Sequence, residues 1–248
     1  VNQTTTTVAI AVVATAGAAA TPLLLRVFKP IITKIYKTIS QPDTIEALIE
    51  NESRIKAFAP RIFAPALAYA GSETSVVSVI GVDPFRESKA SRIEEKVRSG
   101  IYFDQELTGS GLAKVMIGVG ISVSLDIGVG DEIVLISQGA NGSIANDLFE
   151  VVAIVGTKSS FDNTLVYLPI EVAQNFLSIP NEVHEYVLLA ADASKSISLA
   201  NILQQRIDPL NADLTVSPWQ VVESSFYKSM RADQQGNYFI LALSLIHI

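Results

Sequence analysis

Cysteine is absent from the 248-residue sequence, and histidine occurs only at His184 and His247. Without cysteine, the chain can form no disulfide, thiolate zinc site or iron–sulfur cluster, and it has no cysteine nucleophile. Two histidines are too few for a multi-histidine metal site. We therefore predict no metal, no cofactor and no catalytic residue, and we do not expect an enzyme.

Charged residues are also scarce. They make up 17% of the chain, against about 25% in typical soluble domains, whereas hydrophobic residues make up 49%. The mean hydropathy of +0.37 excludes a disordered chain and suggests contact with a membrane. A net charge of -7 has the wrong sign for tracking phosphates, so nucleic acid is not an expected partner.

The N-terminal segment carries no charge as far as Leu25, and residues 8–25 are almost entirely apolar or small. A bilayer core requires about 20 apolar residues, and such helices tolerate small residues and an occasional proline such as Pro22. We predict a truncated or atypical transmembrane helix over residues 1–28. A buried core helix and a signal peptide cleaved near residues 18–20 remain alternatives.

A second apolar run begins at Tyr238, after the polar stretch 231–237. We predict a linker helix and the start of a second transmembrane span over residues 223–248. The last six residues, LSLIHI at 243–248, match the peptide that a sequencing-library transposase end would encode in frame. Our hypothesis is that these residues derive from an adapter.

The central part of the chain alternates between strand and helix patterns. Residues 31–84 follow a β-α-β-β pattern, with strands predicted over 55–69 and 75–82, and residues 182–222 follow a β-α-β pattern with a helix over 196–207. Between them, residues 85–181 have mainly strand patterns after a charged surface helix predicted over 87–98. The sequence thus predicts an α+β fold, a porter-like domain (31–84 and 182–222) split by an inserted, mainly-β subdomain (85–181).

Two glycines, Gly118 and Gly120, begin like a dinucleotide-binding fingerprint. The third glycine of that motif is missing, because position 123 is valine, and no strand clearly leads into a helix within one βαβ unit. The chain also has no GxxxxGK[ST] loop, so any ATP hydrolysis must take place on another chain. We predict no nucleotide site here.

Serine hydrolase chemistry would need a histidine base, and His184 is the only credible one. It lies at the start of a predicted strand, and no GxSxG motif accompanies it, so a structural role is the preferred interpretation. The paired carboxylates Glu94-Glu95 and Asp131-Glu132 are typical of solvated faces. Trp219 is interpreted as a packing anchor.

Short motifs spread over residues 31–237 resemble the extracytoplasmic core domain of ABC transporter permeases of the MacB and lipoprotein-releasing LolC/LolE type, which carry an FtsX-like permease domain. Singly these motifs are weak, but their order and spacing together are fairly specific. They are Val79-Ile80-Gly81-Val82-Asp83-Pro84, the Glu94–Gly100 segment before Tyr102-Phe103, Ile117–Leu125, Val129–Leu135, Gln138–Ala145, Val151–Val155, Val183-His184-Glu185 and Pro218-Trp219-Gln220.

The resemblance implies a permease subunit of the bacterial cytoplasmic (inner) membrane, with most of this chain on the extracytoplasmic or periplasmic side. It implies a cytoplasmic ABC ATPase and a second permease copy, identical or homologous, as partners, and a lipoprotein or another amphiphile as cargo. The motifs match no ligand-binding residue. The alternative is a membrane-anchored or secreted binding module without an ATPase partner, which would need no further spans after Tyr238.

Overall fold

The computed structural model describes residues 8–13, 38–39, 41–103, 111–157, 161–211, 213–222 and 228. The strands are β1 (Val8–Val13), β2 (Ile55–Ala70), β3 (Glu73–Val82), β4 (Val97–Gly100), β5 (Ala113–Gly118), β6 (Glu132–Gln138), β7 (Ile144–Val155), β8 (Leu165–Pro169), β9 (Glu185–Ala190) and β10 (Leu214–Pro218). The helices are α1 (Pro42–Glu50), α2 (Pro84–Ala90), α3 (Val119–Leu125), α4 (Ile170–Leu177), α5 (Ser196–Ile207) and α6 (Trp219–Val222). The predicted α+β class is confirmed.

Six strands form a closed circuit, in which β2 pairs with β3, then β8, β5, β7 and β6 follow, and β6 pairs again with β2. We call this circuit, with α3 and α4, the barrel. Alternate residues of β2, among them Ile62 and Ala68, are buried in its core cluster. The ring of Phe176 on α4 meets Phe149 edge-on, with centroids 5.7 Å apart, so α4 packs against the same core.

The first half of β2 continues the sheet on the other side, in the order β2, β9, β1 and β10. Helices α1 and α5 cover these strands, and we call this second unit the layer. Its core is a separate cluster, in which Ile45 and Ile49 of α1 and Leu203 of α5 pack against Tyr186 and Leu188 of β9. Because β2 belongs to both units, the layer and the barrel share one continuous sheet.

The structure confirms the two strands predicted over 55–69 and 75–82, which form the β2–β3 hairpin, and α5 has the predicted bounds 196–207. The helix predicted over 87–98 is wrong. Helix α2 begins earlier, at Pro84, and ends at Ala90 because Ser91 is extended. A short 3-10 helix at Glu94–Lys96 and β4 follow. Helix α4 and strand β5 were not predicted.

Residues Val8–Val13 form a strand. At these six positions the structure therefore differs from the transmembrane helix predicted over residues 1–28. Their sequence, VAIAVV, is rich in the β-branched residues that favour strands. The other residues of that prediction, the predicted second span and the LSLIHI hexapeptide lie outside the described residues. Among the helices that the structure does describe, none has the length and apolar character needed to cross a membrane.

Candidate functional site

Arg61 marks the position at which β2 changes neighbours. The antiparallel ladder of β2 with β9 covers residues 55–61, where Arg61 lies opposite Glu185. The ladder with β3 begins at the same residue, where Arg61 lies opposite Val82. The layer and the barrel therefore meet at Arg61. We call Arg61 and the charged groups around it the junction, and the junction is the candidate site.

The side chain of Arg61 forms a two-point ion pair with Glu87 of α2. The Nη2–Oε1 distance is 2.5 Å and the Nε–Oε2 distance is 3.1 Å, and the two side chains are only 7% and 0% exposed. Burial alone would lower the pKa of the guanidinium, but the charge and hydrogen bonds of Glu87, with the charge of Glu185, raise that pKa above its ordinary value. The pair is therefore a permanent charged link between β2 and α2.

The sequence Gly81-Val82-Asp83-Pro84 connects β3 to α2 and so positions Glu87 of α2 beside Arg61 of β2. A Cβ atom at Gly81 would lie 2.5 Å from the Cβ of Ala173, so only glycine lets β3 approach α4 this closely. The Oδ1 of Asp83 accepts a hydrogen bond from the Arg86 N–H at 2.9 Å and caps the helix. Proline at the first helical position has no N–H that would go unpaired. The motif thus turns the chain from β3 into α2 within two residues.

The neighbouring residue Arg86 points to the other unit. Its Nη1 donates to Oε2 of Glu46 on α1 at 2.6 Å, and its guanidinium lies 5.0 Å from the centroid of the Phe58 ring. The Tyr186 hydroxyl donates to the other oxygen of Glu46 at 3.0 Å. Burial, followed by the charge of Glu46, raises the pKa of the Tyr186 phenol. Residues 86 and 87 of one short helix therefore bind the layer and the barrel separately.

His184 also lies at this meeting point and is 5% exposed. Its backbone N–H donates to the Arg61 carbonyl at 2.9 Å, and its Nδ1 accepts from the Phe63 N–H at 3.0 Å. Both bonds hold β2 against the start of β9. The structural interpretation of His184 is thereby supported over a role as a hydrolytic base.

Gly118 and Gly120 pack against the backbone of residues 162 and 163. A Cβ atom at Gly118 would lie 1.9 Å from the Asp162 carbonyl oxygen, and one at Gly120 would lie 2.8 Å from the Asn163 carbonyl oxygen. The segment 161–164 therefore occupies the space that a dinucleotide phosphate would need. The two glycines permit close backbone packing beside α3.

The remaining predicted residues lie apart from the junction. Glu94-Glu95 and Asp131-Glu132 are exposed, as predicted for solvated faces, and Asp131 caps its own turn through the Gly128 N–H. Trp219 is the first residue of α6 and is half-buried. Its neighbour Gln220 bonds the hydroxyl of Ser196 on α5.

In the described part of the chain, no three His, Asp or Glu side chains are grouped closely enough to hold a metal ion. The junction itself consists of mutually paired charges, with Arg61 bound to Glu87 and Arg86 bound to Glu46. These ion pairs connect α2 to β2 and to α1, so the arrangement supports a structural role for the junction.

Solved structures that share the fold include two domains of ABC-type transporters. The extracellular domain of the noncanonic ABC-type transporter YknZ from Gram-positive bacteria matches with a TM-score of 0.53 at 13% identity, over 71% of this chain and 85% of that chain. The periplasmic region of MacB from Actinobacillus actinomycetemcomitans matches with a TM-score of 0.50 at 11% identity, over 68% and 73%. At these identities the likeness concerns the fold alone.

The family model that matches the sequence is the MacB-like periplasmic core domain, and the match runs from residue 4 to residue 206. The chain belongs to this family. The core-domain match includes the barrel, the layer except for β10 and the last residue of α5, and all of the charged residues around Arg61, from Glu46 on α1 to Glu185 on β9. The family resemblance predicted from the sequence is therefore confirmed.

Curated relatives of this MacB-like core domain include two proteins of lipoprotein-releasing systems. The transmembrane protein LolE of Haemophilus influenzae is 30% identical over 146 residues, which cover 57% of this chain and 34% of LolE. The transmembrane protein LolC of Neisseria meningitidis serogroup B is 26% identical over 201 residues, which cover 78% of this chain and 47% of LolC. The chain thus spans between a third and a half of the length of these relatives.

Proposed function

We propose that this core domain is the extracytoplasmic part of the permease subunit of an ABC transporter in the bacterial cytoplasmic membrane. The observation that carries the proposal is the family match over residues 4–206, which covers the barrel and most of the layer. The LolE and LolC relatives, which are named transmembrane proteins, support a membrane location.

For the cargo, we propose a lipoprotein or another amphiphile taken from the outer leaflet of that membrane. Support comes from the names of the two relatives, which belong to lipoprotein-releasing systems. ATP would be hydrolysed by a separate cytoplasmic subunit, because this chain has no phosphate-binding loop. A second permease copy would complete the transporter.

The proposed role of this chain in transport is mechanical. Strand β2 passes from the layer into the barrel without interruption, and its pairing changes from β9 to β3 at Arg61. A force applied to one unit is therefore transmitted to the other through β2 and through α2. The movement that we propose is between the layer and the barrel. The predicted domain division, with residues 85–181 inserted between 31–84 and 182–222, differs from these units because it assigns β3 and the second half of β2 to the same domain as the layer.

The test is ATP-dependent release of an amphiphile. The full-length permease is reconstituted into lipid vesicles with its proposed ATPase partner, and the release of a fluorescent acylated peptide is measured. A partner whose P-loop lysine is replaced by alanine is the control. We expect release only with the intact ATPase. Peptide binding that is unaffected by ATP, with no ATPase copurifying, would instead favour the binding module without an ATPase partner.

A further inference from the structure

Helix α2 is bound to the two units by two ion pairs of different character. The Arg61–Glu87 pair, on the barrel side, is buried and has two hydrogen bonds. The Arg86–Glu46 pair, on the layer side, has side chains that are 35% and 20% exposed. Water therefore reaches the second pair but not the first.

The two pairs differ in what their separation would cost. Separating Arg61 from Glu87 would leave two uncompensated charges in the protein interior, which is strongly unfavourable. Separating Arg86 from Glu46, which are partly exposed, would let water hydrate both groups, so it would cost less than separating the buried pair. Any relative movement of the units would therefore break the Arg86–Glu46 pair first.

Both members of the weaker pair also keep a polar partner on their own side. The Nε of Arg86 lies 3.6 Å from Oδ2 of Asp83, which precedes the same helix. Glu46 keeps the hydrogen bond from the Tyr186 hydroxyl, within the layer. Neither charge would be stranded when the pair opens.

The two ladders of β2 overlap at a single residue, Arg61, where pairing with β9 ends and pairing with β3 begins. A change of the angle between the two units would therefore be concentrated next to Arg61. We infer that α2 is a releasable clip, in which opening of the Arg86–Glu46 pair frees the layer to rotate about residues 60–61 while Arg61–Glu87 keeps α2 on the barrel. The inference goes beyond the transport function, since it concerns movement that needs neither ATP nor cargo.

The test uses the absence of cysteine from this chain. Spin labels are attached to single cysteines at two exposed positions, Ala47→Cys on α1 and Val123→Cys on α3, in the full-length protein in nanodiscs. Any native cysteines elsewhere in the protein are first replaced by serine. Double electron–electron resonance then measures the distance between the layer and the barrel.

We expect Glu46→Gln and Arg86→Gln each to add a second peak to the distribution of distances between the spin labels. The new peak should differ from the original by more than about 2 Å, which is the size of ordinary helix shifts. The charge-reversed pair Glu46→Arg with Arg86→Glu should restore the original distribution. Arg92→Gln, which removes the exposed pair with Glu95, is the matched control and should change nothing. Unchanged distributions in both single variants, or an equal change in Arg92→Gln, would overturn the clip. Loss of transport with these distances unchanged would bear on the proposed function instead.

Discussion

The Nδ1 atom of His184 accepts the Phe63 N–H of β2 at 3.0 Å, at the end of the ladder between β2 and β9. The carbonyl of the preceding residue, Val183, accepts a hydrogen bond from Ile39 at 2.7 Å. A side chain therefore takes a place in the ladder that a backbone carbonyl would ordinarily fill. The layer is joined to the barrel by this side chain as well as by backbone pairing.

Replacing His184 should therefore affect stability. His184→Ala removes this acceptor from the partly buried N–H of Phe63, and we expect the free energy of unfolding to fall by about 1–3 kcal/mol. His184→Asn keeps an acceptor at the δ position and should recover about 1 kcal/mol of this loss. Urea denaturation followed by circular dichroism measures both. Equal losses in the two variants would show that packing, not the hydrogen bond, is what matters at this position.

The buried ion pair of the junction predicts an asymmetric response to substitution. Arg61→Met or Glu87→Met alone removes one member of a buried ion pair, and either should lower the free energy of unfolding by about 3–5 kcal/mol. Replacing both residues with methionine removes both charges and should be less destabilising than either single change. Chemical denaturation tests this, with Arg92→Gln as an exposed control that should leave stability unchanged. Additive losses in the double variant would contradict the pairing.

The close approach of Gly118 to the 161–164 segment predicts intolerance to a methyl group. Gly118→Ala would bring its Cβ to 1.9 Å from the Asp162 carbonyl oxygen, and we expect a loss of at least about 3 kcal/mol. Gly128→Ala is the matched control, because its nearest neighbour would be an Asp131 carboxylate oxygen at 3.8 Å, and it should cost less than about 1 kcal/mol. Thermal unfolding distinguishes them. A Gly118→Ala protein as stable as the control would refute the close packing.

Tyr186 predicts a loss of stability in alkali. Its pKa is raised in the folded protein by burial, followed by the charge of Glu46, whereas in the unfolded chain the phenol has a pKa of about 10. As the pH rises above that value, the unfolded state loses this proton first, so the free energy of unfolding falls. Tyr186→Phe should lower stability by about 1 kcal/mol at neutral pH and should flatten the fall above pH 10. An equally steep fall in the variant would show that other groups control it.

Local patterns were sufficient to predict several elements. In α5 the apolar residues Leu199 and Leu203 are one turn apart, and the predicted bounds match the structure. The β2–β3 hairpin was predicted from two apolar runs around a turn at Gly71, which has φ +58°. In both cases the signal lies within a few residues, where sequence periodicity and turn chemistry act.

The missed elements lack such signals. Helix α4 begins after Pro169 without any side-chain cap and has only eight residues, so neither a start signal nor a long periodicity identifies it. The charged run 87–98 looked helical, but Asp83 and Pro84 start the helix earlier and Ser91 ends it. Element boundaries here depend on cap geometry and tertiary packing, which a charge pattern does not contain.

The junction could be predicted only in part. A lone arginine at position 61 in the apolar middle of β2 is itself a signal, because a buried guanidinium requires an acidic partner. The partner is 26 positions away on α2, and nothing in the sequence selects Glu87 over its neighbours. The roles of Arg86 and Glu46 likewise depend on the way α1 and α2 pack across the sheet.

The pairing of β2 with β9 also constrains the order in which the chain folds. Phe63 and His184 are bonded although they are 121 positions apart, and nearly all the residues of the barrel lie between them. During synthesis and export, the first half of β2 therefore cannot pair with β9 until residues 185–190 have been made. The six strands of the barrel, which include the second half of β2, can pair before then. Contacts that join distant positions form slowly. The layer should accordingly be the last part to become resistant to protease as the nascent chain emerges from the membrane.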